Sequence, residues 1–196
     1  MIYVVTGAPR SGKSMFMQIL RAGGVELTYD EEYLKASSFN EHGFFEHNKP
    51  GDLLSDPAFR AAIDGKAINV VVHELFNIPF IARKNMKVIS VYRPLKSIYE
   101  SMNRTLRMGI LGASKNQYIW DWFVKEIGTL LKRLPRELKT FNDFMVVDYN
   151  ETIEFPRATI DEIRFFLDRS FDVDAACKVP EERLRHFREE KNDIQG

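Results

Sequence analysis

The sequence predicts a three-layer α/β fold in which a central, mainly parallel sheet is flanked by helices on both faces. Short apolar runs alternate along the chain with longer segments of helical periodicity, and strands that alternate with helices pair in parallel. A glycine-containing turn also stands between the first strand and the first helix. Because the chain has 196 residues, of which 44% are hydrophobic, we expect a single domain spanning 1–196.

Four segments have the composition of buried strands. Each is short and apolar and contains several β-branched or aromatic residues, as expected for strands that are covered on both faces. They are Ile2 to Thr6, Ile68 to Val72, Met86 to Tyr92 and Phe144 to Val147. We expect these segments to form the central sheet.

Helices are predicted between the strands from the spacing of apolar residues and from residues typical of helix ends. The predicted helices run from Lys13 to Gly23, Pro57 to Gly65, Pro94 to about Arg107, Ser114 to about Leu134, Pro156 to Asp168 and Pro180 to about Glu190. The polar segment from Thr28 to Gly51 is predicted to be a long loop over the sheet edge. Long loops in compact domains are usually functional.

The composition argues against several classes of function. Lys and Arg together number 28, as do Asp and Glu, so no overall field attracts nucleic acid or an anionic membrane, and we expect neither partner. No apolar run approaches the roughly 20 residues that span a bilayer. Since the first strand begins at Ile2, a signal segment has no room before it, and we expect a cytoplasmic protein. The single Cys177 excludes an internal disulfide.

The turn after the first strand has the spacing of a phosphate-binding loop, or P-loop. Its sequence fits G-x-x-x-x-G-K-[ST], and it lies between a buried strand and a helix N-terminus. Glycines let the backbone N–H groups point inward, and the helix dipole adds positive charge at the same place. The predicted cofactor-binding residues of the loop are Pro9, Arg10, Ser11, Gly12, Lys13 and Ser14.

The loop alone leaves two chemistries open, because phosphoryl and sulfuryl transfer both start from a nucleotide that carries a tetrahedral anion. A nucleotide or metabolite kinase that uses Mg·ATP needs an acidic residue at a strand end to position the metal, and Asp148 is the candidate. Arg104 and Arg107 could serve such a kinase as lid arginines. A third possibility is a non-catalytic nucleotide-binding protein, for which the loop alone suffices.

Further residues resemble the sulfotransferases that use 3′-phosphoadenosine 5′-phosphosulfate (PAPS). The segment Thr6 to Gly12 resembles their 5′-phosphosulfate loop, and Arg93, at a strand end with Ser101 eight residues later, resembles their 3′-phosphate site. Weaker similarities are Val147 to Asn150 and the segment Asn40 to Glu46, which resembles N-x-x-G-[YF]-x-E of small bacterial and viral sulfotransferase-like proteins. The resemblance implies PAPS as the cofactor, no metal, and cofactor-binding roles for Arg93 and Ser101. Lys13 departs from it, since relatives usually carry Thr there.

Physical chemistry supports the same assignment. Arg93, at the end of a strand, can donate two parallel hydrogen bonds to a phosphate. Ser97 and Ser101 share one helix face. In sulfuryl transfer, as in phosphoryl transfer, positioning and charge stabilisation do most of the catalysis. Lys13, together with Arg10, is therefore the predicted group that stabilises the leaving oxygen.

Three residues are candidates for the base that takes the proton from a hydroxyl or amine acceptor, which we expect to be a small molecule or a carbohydrate. His73 follows a predicted strand, and its ordinary pKa suits the task. Glu41 and Glu46 lie in the loop after the first helix, where the resembling families place a catalytic Glu. Glu74 is expected to orient His73. The aromatic residues that could line an acceptor pocket are Phe44, Phe45, Trp120 and Trp122, although aromatic residues at such spacing more often pack in a core.

Overall fold

Five parallel strands form the central sheet in the computed structural model, which describes residues 1–34, 45–107 and 117–180, without the side chains of 103–107 and 117–124. The strands are β1 (Ile2–Gly7), β2 (Leu27–Thr28), β3 (Ala67–Val71), β4 (Met86–Tyr92) and β5 (Asp143–Asp148). Their spatial order is β2-β3-β1-β4-β5, and all four pairings within these residues are parallel. The predicted α/β fold class is confirmed. The edge strand β2 was not predicted, because two residues carry no periodicity.

Helices cover both faces of this sheet. They are α1 (Lys13–Ala22), α2 (Pro50–Leu53), α3 (Pro57–Ala62), α4 (Val72–Leu75), α5 (Phe80–Arg83), α6 (Leu95–Arg107), α7 (Gln117–Leu138), α8 (Tyr149–Glu154), α9 (Pro156–Leu167) and α10 (173–180), with a 3-10 turn at Glu31–Leu34. No helix in the described ranges combines the length and the apolar character needed to cross a membrane.

Several predicted boundaries differ from the structure, among them the end of α3, which was predicted at Gly65 and lies at Ala62. Val72 was predicted to end a strand but begins α4. Helix α7 continues past the predicted end at Leu134 and through Pro135 to Leu138, because the Leu138 side chain is buried against the sheet. The last helix was predicted to begin at Pro180, yet the chain is already helical over 173–180, where Ala176 and Cys177 are buried. The predicted continuation beyond 180 lies outside the described residues.

Alternation along the strands divides the core between the two faces of the sheet. On β1, Tyr3 and Val5 pack toward α1 and α9, whereas Ile2 and Val4 face the opposite layer. That opposite layer includes α4 and α5 and the C-terminal part of α7. Two hydrophobic layers therefore cover the central strands, whereas the edge strand β5 is less buried than predicted, with Val146 57% exposed.

The carboxyl ends of the strands lie along one edge of the sheet, because all the strands run in parallel. Strand β1 is central, with β3 and β4 as neighbours on either side. The chain that leaves β1 forms the phosphate loop, and the chain that leaves β4 begins at Arg93. In open α/β sheets, ligands bind outside the carboxyl ends of strands where connections diverge. The sheet therefore places the predicted loop and Arg93 next to each other.

Two phenylalanines test the assignment of the core. Phe16 on α1 is 0% exposed, whereas Phe165 on α9 is 74% exposed. We expect Phe16→Ala to lower the free energy of unfolding by about 3–5 kcal/mol, because it leaves a cavity in a packed interior. The matched change Phe165→Ala should alter it by less than about 0.5 kcal/mol. Urea unfolding of both variants measures the two values, and similar losses would contradict the packing described here.

Candidate phosphate-binding site

The loop between β1 and α1 has a backbone that only particular residues tolerate. Gly12 has a φ of 103° and Arg10 a φ of 65°, both in the left-handed region. A Cβ at Gly7 would overlap the Ser11 Oγ atom and the Val91 carbonyl oxygen. The Ser11 N–H donates to the Ala8 carbonyl at 3.1 Å, which tightens the turn. Gly7 is therefore required because neighbouring atoms leave no room for a side chain, and Gly12 is required by its backbone conformation.

The N-terminus of α1 has the features of an anion site. Its cap residue, Gly12, contributes no side-chain hydrogen bond, and the first turn contains no acidic residue. The first N–H groups of a helix lack partners within the helix, and the dipole places positive charge beside them. The Ser11 hydroxyl is 1% exposed, and its Oγ has no hydrogen-bond partner among the described residues. A bound anion would satisfy these donors.

Lys13 is buried inside the loop, with 6% of its surface exposed. Its Nζ atom donates to the Ala8 carbonyl oxygen at 3.2 Å. Burial lowers the pKa of Lys13 to about 8; the Glu46 carboxylate opposes this shift and the Arg10 guanidinium adds to it. The ammonium is therefore charged at neutral pH, but the surrounding groups do not fully replace the water lost on burial. An anion in the loop would stabilise this charge.

Glu46 lies in the electric field of this cationic pair. Burial raises the pKa of Glu46, and the charges of Lys13 and Arg10 act in the opposite direction. A carboxylate with a raised pKa is better able to take up a proton than an exposed one. Glu46 therefore lies close enough to Lys13 and Arg10 for the three charges to influence one another.

Arg10, Arg93 and Ser101 form a cluster beside the loop, which we call the arginine cluster. The Arg10 Nε atom donates to the Ser101 hydroxyl at 3.4 Å, although the two residues are 91 positions apart. The Arg93 Nη1 atom donates to the Arg10 carbonyl oxygen at 3.0 Å. Two guanidinium groups and a hydroxyl therefore adjoin the predicted phosphate loop, a combination that suits a second anionic group.

Tyr149 supports both parts of the site, although sequence analysis gave it no site role. Its ring packs so closely on Gly12 that a Cβ there would overlap it, and the Arg93 guanidinium stacks 4.5 Å from the ring centroid. Tyr149 is 4% exposed and begins α8. Its position directly after β5, at the edge where the loop lies, is the signal that could have identified it.

Asp148, the residue predicted as a metal ligand of the kinase alternative, caps a helix in the structure. Its Oδ1 atom accepts the backbone N–H groups of Asn150 at 2.7 Å and Glu151 at 3.1 Å, which caps α8. Strand β4 also separates β5 from β1, so Asp148 does not adjoin the loop strand.

The remaining predicted site residues are distributed more widely. His73 lies in α4, with its side chain 56% exposed and its Nε2 atom 3.5 Å from the Glu74 carboxylate. Phe45 is buried in the core, 1% exposed, which is the role that its aromatic spacing favoured over a pocket lining. Several predicted residues fall outside the described side chains, namely Glu41, Phe44, Arg104, Arg107, Trp120 and Trp122.

Comparisons with known proteins give little further guidance. No family model matches the chain. No curated protein matches it either. Among solved structures it is similar to an unliganded sugar kinase from Janibacter sp. HTCC2649, with 16% sequence identity and a TM-score of 0.43 over 85% of this chain and 94% of that one. The site must therefore be interpreted from its own geometry.

The buried ammonium of Lys13 should make stability depend on pH. Its pKa in the folded chain, about 8, lies below the ordinary value of 10.5, so between these values the unfolded chain binds more protons. The free energy of unfolding should therefore rise with pH across that range. Lys13→Met removes this contribution, and urea unfolding of both proteins at stepped pH isolates it. Parallel pH profiles for the two proteins would contradict the burial of a titrating Lys13.

Proposed function

We propose that this chain is a nucleotide-dependent transferase that moves a sulfuryl group from PAPS to a hydroxyl or amine. The observation that supports the proposal is the arginine cluster. Arg93 and Ser101, chosen from the sequence as 3′-phosphate ligands, adjoin Arg10 of the phosphate loop. A nucleotide such as PAPS carries anionic groups on two ribose positions and needs two neighbouring anion sites. ATP carries a chain of phosphates on one ribose position and needs a single continuous anion site.

The residues of the loop fit the donor. The close backbone approach at Gly7 leaves no room for a side chain, and the buried Ser11 hydroxyl is an available hydrogen-bond donor. We assign the 5′-phosphosulfate to the loop residues Pro9, Arg10, Ser11, Gly12, Lys13 and Ser14, and the 3′-phosphate to Arg93 and Ser101. When bound, PAPS supplies an activated sulfuryl group whose transfer requires no metal.

Lys13 and Arg10 supply positive charge where negative charge develops on the leaving oxygen. Because the Lys13 ammonium is already desolvated, it interacts with that charge more strongly than a hydrated lysine would. Arg10 adds a guanidinium that is held at its Nε atom by Ser101. Both cations are part of the folded chain before a donor arrives, so little rearrangement is needed.

We assign the base to Glu46 in preference to His73. Burial has raised the pKa of Glu46, and its carboxylate lies in the field of Lys13 and Arg10, next to the transfer site. His73 is exposed and paired with Glu74 at the end of the neighbouring strand. The acceptor is then a small molecule or carbohydrate that delivers its hydroxyl or amine to Glu46.

A second candidate function is phosphoryl transfer from Mg·ATP. The observation that favours it is Lys13, which with Ser14 completes the full G-x-x-x-x-G-K-S loop and lies buried within it. The Ser14 hydroxyl, in the first turn of α1, is the group that would reach a metal. The Oδ1 atom of the predicted metal ligand, Asp148, is already engaged in capping α8. Ligand-dependent stability separates the two candidates.

The test compares thermal unfolding in the presence of 3′-phosphoadenosine 5′-phosphate, ADP, or ATP with Mg²⁺. A ligand at about 100 times its dissociation constant adds about 2.7 kcal/mol and raises the Tm by several degrees. Stabilisation by the 3′-phosphorylated nucleotide, unaffected by a chelator, is the expected result. Stabilisation by Mg·ATP alone would overturn the assignment of PAPS and favour the kinase alternative.

Arg93→Ala should reduce the preference for a 3′-phosphorylated nucleotide over ADP. A charge-assisted hydrogen bond to phosphate contributes about 1.5–3 kcal/mol, so we expect the ratio of the two Kd values to fall at least about tenfold. Titration calorimetry with both nucleotides measures that ratio, which is insensitive to a general weakening of the loop. Arg21→Ala, an exposed arginine at the far end of α1, is the matched control and should leave the ratio unchanged. An unchanged ratio in Arg93→Ala would remove the support for the donor.

A further inference from the structure

A hydrogen-bonded group outside the predicted site joins the two chain segments that flank residues 35–44. The hydroxyl of Thr28 lies 2.9 Å from Nε2 of His47, and Nδ1 of the same ring lies 2.8 Å from Oδ1 of Asp30. The other carboxylate oxygen of Asp30 accepts the backbone N–H of Asn48 at 2.9 Å. We call Thr28, Asp30 and His47 the histidine clip.

The donors and acceptors of the clip are matched. The pKa of Asp30 is lowered, first by the backbone hydrogen bond from Asn48 and then by His47, so its carboxylate is ionised and only accepts hydrogen bonds. In the neutral imidazole, Nδ1 therefore carries the proton, and Nε2 accepts from the Thr28 hydroxyl. Since both ring nitrogens are engaged, the ring has one orientation.

The same order of hydroxyl, imidazole and carboxylate occurs in nucleophilic triads, where the imidazole faces a substrate. Here the His47 side chain is only 6% exposed. Its ring meets that of Phe59 edge to face, with the centroids 5.8 Å apart. A substrate therefore has little access to the imidazole. The role of the histidine clip is to hold the chain in place, not to catalyse a reaction.

The clip adjoins Glu46 on the chain. The Asp30 N–H donates to the Glu46 carbonyl oxygen at 2.9 Å, so the backbone of Glu46 is fixed directly. On one side of Glu46 is His47; on the other is Phe45, which is 1% exposed and packs edge to face on Tyr29 with ring centroids 5.5 Å apart. Both neighbours of Glu46 are therefore anchored. With its backbone fixed, the carboxylate can move only by rotation about the bonds of its own side chain.

We infer that Thr28, Asp30 and His47 are positioning residues that hold the Glu46 carboxylate beside Lys13 and Arg10. The inference deepens the proposed function, in which Glu46 is the base. A base must lie within hydrogen-bond reach of the proton it takes, and a displacement of about 1 Å can cost a large factor in rate. The clip satisfies that requirement through polar contacts that are specific in geometry, whereas apolar packing alone would tolerate small shifts.

The test follows the Glu46 carboxyl carbon by NMR during a pH titration of protein labelled at the glutamate Cδ, with Glu46→Gln to assign the resonance. In Thr28→Val, which keeps shape and charge but loses the hydroxyl, we expect the pKa of Glu46 to fall toward its ordinary value of 4.5 as the carboxylate moves into water. His47→Phe should produce a larger fall. The pKa of Lys13 should also fall further below about 8, because Glu46 no longer raises it.

Two control variants separate positioning from general destabilisation. Thr28→Ser retains the hydroxyl and should preserve both pKa values, and Glu31→Gln, an exposed acid beside Asp30, should leave them unchanged. If His47→Phe does not fold, Thr28→Val carries the test. Wild-type pKa values in folded Thr28→Val would overturn the inference. Because no nucleotide is present, this outcome is independent of whether PAPS or Mg·ATP is the donor.

Discussion

The close approach of the backbone at Gly7 and Gly12 is the constraint on which the rest of the site depends. Gly7 lies against the Val91 carbonyl at the end of β4, and Gly12 lies under the ring of Tyr149. These two contacts bring the strand that precedes Arg93 and the helix that begins at Tyr149 onto the loop. A side chain at either glycine would push one of these elements away, and with it the stacked Arg93 guanidinium.

Local charge, rather than net charge, then determines what the site can bind. The chain has a formal net charge of zero, yet Lys13, Arg10 and Arg93 meet at one edge of the sheet. The Glu46 carboxylate carries a negative charge near the two loop cations. Its pKa is nevertheless raised, because burial removes the carboxylate from water. A site of this kind attracts an anion and keeps a proton acceptor next to it, which is the combination that group transfer from a nucleotide requires.

Much of the fold could be predicted from the sequence, because β1, β3, β4 and β5 carry their own apolar signal and α1 has clear ends. The site was predictable in part for the same reason: the loop and the step from Arg93 to Ser101 are local patterns. The roles of Tyr149 and of the histidine clip depend on contacts between distant segments, which no local pattern contains. Asp148 is predicted as a metal ligand from its place at a strand end, but the same position also suits a helix cap, and only the structure shows that its Oδ1 atom caps α8.

In the proposed function, the phosphate loop and the arginine cluster form two neighbouring anion sites for one nucleotide. A crystal structure of the protein with 3′-phosphoadenosine 5′-phosphate would locate both phosphates. We expect the 5′-phosphate at the N-terminus of α1 within reach of Lys13, and the 3′-phosphate in hydrogen-bond contact with Arg93 and Ser101. A 3′-phosphate that points into solvent, with Arg93 still bound to the Arg10 carbonyl, would contradict it.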